Sequence, residues 1–377
     1  MKAARHPAAL LGGVLFALLL AAALVICALC IHPADPIGST GELQKTDLSS
    51  RASRFATNTA SAALADLAHI EKIYMLDADA QRGYTPDPAC FGSTTDPAEV
   101  AAVVERAAAL LDGQTLAWSP ELALKPGSTI EWYYDETILA ISWQEVLHNC
   151  VHSFAEIKIA HPSQFRRMLA GGSYGASKQL FCSAMAADAN AVVASNADFY
   201  NFRTYGINVY QGELYRFVGN VVDSCFIAGN GDLLMSPVGE FSSAAEVEAF
   251  LDEYDVQFSL AFGPIEILDG EVQPLDYYPI GEIEDKYSRS SLGQLGELHY
   301  LLMCAGGEGN YTDYCTIKEA AAAMAAKGCE SAYALDGGQT AELIFGGKIR
   351  NRIVYDSERA VSDIIYFATA LPQKEEN

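Results

Sequence analysis

The alternation of apolar and polar positions along the 377-residue chain changes character near residue 126. From there on, short stretches such as Thr129–Ser142 and Ser153–Ala160 alternate and are rich in Ile, Trp, Tyr and Phe, which is typical of β-strands. Apolar residues recur with helical spacing at Phe181–Ala189, Ser243–Tyr254 and Thr316–Lys327. Since strands outnumber helices and hairpins are frequent, we predict an α+β domain, a mixed β-sheet with flanking helices.

The N-terminal end of the chain is uniformly apolar. No charge occurs over the 24 residues from Ala8 to Ile31, and as a helix they would extend about 36 Å and cross a bilayer core. Lys2 and Arg5 precede this stretch, which favours a cytoplasmic N-terminus and an extracytoplasmic remainder. We therefore predict one transmembrane helix as a single-pass anchor in the cell membrane. A cleaved signal peptide is the alternative, with a loose cleavage site at Ala28-Leu29-Cys30.

Three regions follow from these patterns. Residues 1–31 are predicted to be a cytoplasmic tip and transmembrane anchor, and residues 32–125 a linker and helical accessory region. Within the latter, Ala60–Leu76 has helical spacing, and Asp96-Pro97 begins a helix that runs to about Leu111, because Asp is favoured at the N-cap and Pro in the first turn. Residues 126–377 form the main predicted domain.

Charge and cysteine content limit the partners. The net charge is −24, and removing the positive charges of Lys2 and Arg5 leaves −26 beyond residue 31. So acidic a body repels nucleic acid, and no nucleic-acid partner is expected. Seven cysteines remain beyond residue 31, an odd number, so at least one thiol is free or pairs between chains.

Two histidines and a cysteine lie close together at His148-Asn149-Cys150-Val151-His152. On a strand, positions 148, 150 and 152 would share one face. Nothing else in the sequence supplies a zinc-like spacing, so we predict no metal site and no cofactor.

An apolar strand is predicted to run into Asp336-Gly337-Gly338. Glycines let the backbone approach a ligand closely and adopt positive φ, and an Asp at the end of a buried strand has a fixed position. This combination indicates a functional site. The alternative is a turn that the Asp side chain stabilises by bonding to the backbone.

Four segments, taken in chain order, carry a family pattern: Asp188–Arg216, Ser288–Leu295, Thr316–Lys348 and Glu358–Phe367. They resemble the phosphodiester glycosidase family, and the resemblance covers roughly residues 126–370. The pattern is most similar to the bacterial membrane-anchored, exopolysaccharide-associated branch. The resemblance implies an extracytoplasmic hydrolase of glycosyl-1-phosphodiester bonds in cell-surface or exopolysaccharide glycans, with a glycan or sugar phosphate as substrate.

Such a reaction expels a phosphate monoester from the anomeric carbon, and it requires a cationic clamp and a carboxylate. The resemblance implies Asp336 and Asp198 as the catalytic carboxylates, with Arg203 and Arg289 as phosphate clamps. The other implied substrate-binding residues are Asn196, Gly337, Gly338, Thr340 and Arg359. The alternatives are structural: an Asx turn at Asp198, salt bridges for the arginines, and a pairing of Arg359 with Glu358 or Asp363.

Three segments depart from the family pattern. Ala197 replaces a glycine, Gln339–Glu342 replaces G-S-S-T, and Met303–Glu308 lacks the V-D-G-R that follows this strand in the family. Glu342 adds a carboxylate or, as we expect for most charged residues, faces solvent on a hairpin. The departures leave a second possibility open, a catalytically impaired glycan-binding or envelope-assembly protein of the same fold.

Overall fold

A computed structural model describes residues 82–219, 221–278 and 283–371. All of them belong to one compact unit, Leu48–Asn377. The predicted anchor, the linker and the helix Ala60–Leu76 lie outside the described residues. In the part of the chain that is described, no helix combines the length and apolar character needed to cross a bilayer.

The helices begin and end with the signals that the sequence carries. The described ranges contain α1 (Pro97–Arg106), α2 (Ala108–Leu111), α3 (Cys182–Asp188), α4 (Ala244–Tyr254) and α5 (Ile317–Ala326). The Asp96 side chain caps α1 by accepting from the Ala98 N–H, as predicted. Thr316 and Glu319 form a capping box at the start of α5.

Strands dominate the described part of the chain. They are β1 (Phe91–Thr94), β2 (Ile130–Asp135), β3 (Ile138–Leu147), β4 (Cys150–Ile159), β5 (Phe165–Leu169), β6 (Val193–Asn196), β7 (Gly206–Tyr210), β8 (Glu213–Val218), β9 (Ser224–Ile227), β10 (Leu233–Ser236), β11 (Phe258–Leu260), β12 (Ile265–Leu268), β13 (Glu271–Val272), β14 (Arg289–Gly296), β15 (His299–Gly306), β16 (Ser331–Leu335), β17 (Leu343–Phe345), β18 (Lys348–Ile349) and β19 (Asp363–Phe367). The predicted sheet-rich α+β domain is therefore confirmed.

Three antiparallel sheets organise the domain. The largest has the strand order β1-β2-β3-β4-β15-β14-β16-β12-β13. The second has the order β10-β9-β11-β7-β8, and the third has the order β18-β17-β6-β19-β5. Because β6, β11, β14 and β16 belong to different sheets or distant parts of the chain, the loops at their ends can meet only through the tertiary fold.

The nine-stranded sheet is apolar on both faces. One face, which includes Leu302 and Tyr333, packs against residues of the two smaller sheets such as Phe367 and Phe258. The opposite face, which includes Met303, packs against the helices. This double burial explains why β3, β4 and β15 are more continuously apolar than a half-exposed strand.

The segment before residue 126 packs against this sheet. Strand β1 pairs with β2, and the backbone N–H groups of Ala117 and Trp118 each donate to the buried Glu156 carboxylate at 2.7 Å. Glu156 also lies 2.8 Å from Nε2 of His299. These bonds connect the accessory segment to β4 and β15.

Candidate functional site

Asn196 connects the third sheet to the end of β16. Its Nδ2 donates to the Asp336 carbonyl oxygen at 2.5 Å, and the Asp336 N–H donates to the Ala197 carbonyl oxygen at 3.0 Å. Asn196 Oδ1 accepts from Ser290 Oγ at 2.8 Å and from the Glu342 N–H at 3.1 Å. The Asn196 side chain is completely buried, so in this structure it fixes the Asp336 turn from behind.

The double glycine after Asp336 is a steric requirement. A Cβ on Gly337 would lie 2.7 Å from the Ser288 carbonyl oxygen. Gly338 has φ +68° and donates its N–H to that same carbonyl at 2.8 Å. A side chain at Gly337 would separate the turn from β14, and one at Gly338 would be strained.

The Asp336 carboxylate sits in a half-buried position on this turn. Its Oδ1 accepts from the Gly337 N–H at 3.0 Å, and its Oδ2 accepts from Thr340 Oγ at 2.8 Å. Burial raises the pKa of Asp336 from 3.8 to about 6, while the Thr340 hydroxyl, Arg203, the Gly337 N–H and Arg359 act to lower it. The carboxylate is therefore ionised near neutral pH and close to two cationic side chains.

Arg203 is held by aromatic rings. Its guanidinium carbon lies 4.2 Å from the centroid of the Phe262 ring and 5.6 Å from that of Phe199. Nη1 donates to the carbonyl oxygens of Ala261 and Phe262, each at 3.3 Å. The other guanidinium nitrogens have no hydrogen-bond partner among the described residues, so they can bind an anion beside Asp336.

Arg359 is an exposed arginine whose positive charge acts on the Asp336 carboxylate. Its neighbour Glu358 accepts from the Ser183 N–H at 3.0 Å and from Ser183 Oγ at 2.7 Å, near the start of α3. Glu358 thus fixes the loop to the helix, whereas the Arg359 side chain is exposed to solvent.

Asp198 is enclosed instead. Its Oδ1 accepts from the Phe199 N–H at 2.6 Å, its Oδ2 accepts from the Ala261 N–H at 2.9 Å, and Arg167 Nη2 lies 3.7 Å from Oδ2. Arg167 also pairs with Asp363 at 2.7 Å, and burial raises the pKa of Asp363 to about 7 although Arg167 opposes this. In this conformation the Asp198 carboxylate has no open face toward a substrate.

The Arg289 guanidinium is directed toward backbone. Nε donates to the Cys315 carbonyl oxygen at 3.2 Å, and Nη2 donates to the Asp285 carbonyl oxygen at 2.6 Å. The side chain is buried, whereas the neighbouring Ser288 carbonyl supports the Asp336 turn. The β14 segment thus contributes its backbone directly to the site.

Glu342 is buried, so the expectation that it faces solvent is wrong. Its side chain is fully enclosed, and neither carboxylate oxygen has a hydrogen-bond partner among the described residues. Burial, followed by the proximity of Glu358, raises the pKa of Glu342 to about 9. Glu342 directly precedes β17. This strand lies between β6 and β18 and packs against α3, and the side chain is therefore enclosed.

Exposed aromatic rings surround the loops of this site. Tyr355 is 81% exposed in a loop adjoining the Gly338–Thr340 turn, and Gln339 Nε2 joins the two loops by donating to the Ser357 carbonyl oxygen at 3.2 Å. Phe202 is 47% exposed and stacks on Phe199, with ring centroids 4.4 Å apart. Flat exposed rings of this kind suit the apolar face of a sugar.

A groove of about 580 Å³ lies elsewhere on the domain. Phe91, Glu131, Asn190 and Lys348 line it together with the Gly346-Gly347 hairpin. None of the predicted site residues lines this groove.

The structure thus brings Asn196, Gly337, Gly338 and Thr340 into contact with Asp336 or its turn, and places Arg203 and Arg359 within electrostatic range. Asp198 and Arg289 have their polar groups bonded to neighbouring protein atoms. Sequence reasoning missed Arg167, which lies in an apolar strand outside the four segments of the resemblance. The signal available for it was a charged pair, Arg166-Arg167, in a stretch otherwise typical of a buried strand.

Comparison with known proteins shows what residues 189–368 are similar to. The family model for phosphodiester glycosidases matches residues 189–368, which include every predicted site residue. The resemblance found in the sequence is therefore confirmed at the level of the family, whereas assignment to the bacterial branch stays a prediction. No curated protein matches the chain significantly.

Solved structures resemble the chain at low sequence identity. One is the catalytic domain of zebrafish N-acetylglucosamine-1-phosphodiester α-N-acetylglucosaminidase, auto-inhibited by its pro-peptide, with a TM-score of 0.52 at 14% identity over 69% of this chain and 92% of that chain. A hypothetical protein from Synechocystis has a TM-score of 0.45 at 14% identity over 64% of each chain. A putative exported protein from Burkholderia pseudomallei has a TM-score of 0.39 at 15% identity, over 82% of this chain and 89% of that chain.

Proposed function

We propose that this chain hydrolyses glycosyl-1-phosphodiester bonds, on the premise that residues 189–368 belong to the phosphodiester glycosidase family. The observation that carries the proposal is the Asp336 turn: a carboxylate held by Gly337 and Thr340, with Arg203 and Arg359 acting on it electrostatically. In a sugar-1-phosphodiester the anomeric carbon is bonded to a phosphate. A carboxylate suits the anomeric carbon, and two arginines suit the phosphate.

In the proposed mechanism, Asp336 lies against the anomeric carbon. There it stabilises the positive charge that develops on the sugar, attacks the carbon, or activates water. With a pKa of about 6 it is still mostly ionised at neutral pH, and its burial limits its contact with water. The departing phosphate monoester is already a stable anion, so the reaction depends less on a strong general acid.

Arg203 is the proposed phosphate ligand. The aromatic rings around it restrict the guanidinium to one orientation, and its unbonded nitrogens can bind two phosphate oxygens together. Arg359 supplies a second positive charge from solvent. Asp198 and Arg289 are proposed as positioning residues. Asp198 accepts from the N–H of Ala261, whose carbonyl accepts from Arg203, and Arg289 follows Ser288, whose carbonyl holds the Asp336 turn.

The location and substrate source are also proposals. The uncharged stretch Ala8–Ile31 would hold the domain at the outer face of a cell membrane. Its substrates there would be envelope or exopolysaccharide glycans that carry sugar-1-phosphodiester links. The strongly acidic body would repel nucleic acid, so no nucleic-acid partner is proposed.

The test is release of free sugar from a chromogenic sugar-1-phosphodiester by the detergent-solubilised full chain. Asp336→Asn should lower kcat/KM by at least about 100-fold, because a carboxylate in contact with the reacting centre is lost. Arg203→Gln should lower it by about 10- to 100-fold through weaker phosphate binding. Asp252→Asn, on the exposed face of α4, and Arg82→Gln are matched controls and should keep wild-type turnover.

The second candidate is a glycan-binding or assembly protein without turnover. The absent V-D-G-R favours it, because the acid available there, Glu308, pairs with Lys125 and with Gln144 Nε2 at 3.2 Å. Binding of a sugar-1-phosphodiester without any product, in wild type and controls alike, would select this candidate. Turnover unchanged by Asp336→Asn would exclude the assigned carboxylate.

A further inference from the structure

Three side chains with metal-binding donors meet on the helix side of the large sheet. They are Cys150 and His152, at alternate positions of β4, and Cys315, directly before Thr316 and α5. Their donor atoms all lie within 4.8 Å of one another. None of the three side chains is more than 2% exposed.

The fold rather than the sequence spacing produces this cluster. His148 and Asn149, at φ +50° and +59°, form the tight turn that begins β4, and the Asn149 carbonyl accepts from the Asp313 N–H at 3.1 Å. Cys315 is then fixed by two backbone bonds with Tyr287, at 3.1 and 3.2 Å. The loop before α5 is thereby held against the first residues of β4.

The histidine is arranged as a neutral ligand. His152 Nδ1 lies 3.2 Å from the Cys150 carbonyl oxygen, and the tautomer protonated at Nδ1 donates to that oxygen. Nε2 then carries the free lone pair, and no described residue donates to it. A backbone carbonyl on one ring nitrogen is the usual support for a metal-bound imidazole.

The two thiols are close enough to interact. Their sulfur atoms lie within 4.8 Å of each other, and both side chains are buried. A disulfide between them would use both sulfurs, but it would leave a buried imidazole nitrogen without a partner. A metal ion uses all three donors.

We propose that Cys150, His152 and Cys315 bind one Zn²⁺ ion. Zinc–sulfur and zinc–nitrogen bonds of about 2.3 and 2.1 Å place donors roughly 3.5–3.8 Å apart, within the observed limit. Two thiolates neutralise the dication, which suits a buried site. Zinc is normally four-coordinate, so a water molecule would complete the shell of the three protein ligands. Because all three ligands are enclosed, the ion enters as the domain folds.

The proposed ion would fix a loop that supports Arg289. The Cys315 carbonyl accepts from Arg289 Nε at 3.2 Å, and Arg289 begins the strand whose preceding residue, Ser288, supports the Asp336 turn. Zinc binding would therefore stabilise the β14 side of the candidate site. Zinc binding at this cluster does not depend on the proposed hydrolysis.

The experiment measures zinc in the full chain, purified under reducing conditions. Cys27→Ala and Cys30→Ala are introduced into every sample, because the spacing of Cys27 and Cys30 could bind zinc on its own. We expect one zinc per chain and, after exchange with Co²⁺, thiolate-to-cobalt charge-transfer absorption. Cys315→Ser should remove both signals, and Cys90→Ser, a cysteine outside the cluster, should keep them.

Three results would overturn the proposal. They are a folded protein with no zinc above the blank, zinc retained in full by Cys315→Ser, or a Cys150–Cys315 disulfide in peptides from the unreduced chain. If Cys315→Ser does not fold, the zinc content of the parent protein and the thermal unfolding of that protein with and without a chelator decide the question. We expect the chelator to lower the unfolding temperature, and an unchanged temperature with no bound zinc would exclude the site.

Discussion

Replacing Asp336 by Asn should stabilise the protein at neutral pH while it abolishes the proposed activity. The folded state raises the pKa of this carboxyl from 3.8 to about 6, chiefly through burial. The folded protein therefore holds a proton that the unfolded chain releases between these two values. Stability falls as the pH rises through this window and is constant above it.

The size of the effect follows from the same two pKa values. One pKa unit corresponds to about 1.4 kcal/mol, so the ionised carboxyl lowers the free energy of unfolding by roughly 3 kcal/mol at pH 7 and by only about 0.5 kcal/mol at pH 4. Asn keeps the bond from the Gly337 N–H through its Oδ1. Thr340 Oγ lies 2.8 Å from the Gly337 carbonyl and can donate there while it accepts from the new amide. Because these hydrogen bonds are kept, most of the stabilisation gained by removing the charge should remain.

Urea unfolding at pH 7 and pH 4 measures the difference. We expect Asp336→Asn to exceed the wild type by about 2–3 kcal/mol at pH 7 and to approach it at pH 4. Asp252→Asn, a solvent-facing aspartate on α4, should show neither effect. A variant less stable than the wild type at pH 7, or a difference that does not shrink at pH 4, would refute the reasoning.

Three further outcomes are expected. In the wild type, kcat/KM should rise with pH through an apparent pKa near 6 as Asp336 ionises, and a flat profile between pH 5 and 7 would contradict its role as the ionised carboxylate. Glu156→Ala should lower the free energy of unfolding by about 3–5 kcal/mol, because the Ala117 and Trp118 N–H groups lose a buried charged acceptor; Glu105→Ala is the exposed control, and a loss below about 1 kcal/mol would count against the prediction. Glu342→Gln should flatten the decline of stability with pH in urea unfolding, since burial raises the pKa of Glu342 from 4.5 to about 9, so an unchanged decline would show that this carboxyl is solvated.

Local signals in the sequence predicted the helices well. Asp96 and Thr316 act as N-caps through bonds within their own first turns, so these bonds are encoded by neighbouring residues. A glycine in a short turn is another local signal, and at Gln211-Gly212, between β7 and β8, both residues take the positive φ that a tight hairpin requires. Each of these features depends on contacts only a few residues apart.

The candidate site was predicted in part. The Asp336-Gly337-Gly338 turn was visible as a strand followed by glycines, and the resemblance to a family supplied Arg203. The enclosure of Asp198 by Arg167 and the Ala261 N–H was not visible, because those partners come from β5 and from the end of β11. Sequence patterns alone do not distinguish an enclosed carboxylate from one that faces a ligand.

Glu342 and Cys315 show the same limit more sharply. A glutamate in a short hairpin strand is usually solvated, yet the packing of β17 against α3 encloses this one. Cys315 has no metal-like spacing to Cys150. The backbone bonds of Cys315 to Tyr287 and of Asp313 to Asn149 nevertheless bring the donor atoms within 4.8 Å.

Local patterns in the sequence were enough to predict the element types, the caps, the turn chemistry and the family resemblance, because these depend on short-range periodicity and ordered local motifs. Only the tertiary structure shows which polar groups reach the site and which are bonded to other parts of the protein. That decision depends on burial and on hydrogen bonds between distant strands, which are set only when the three sheets pack together.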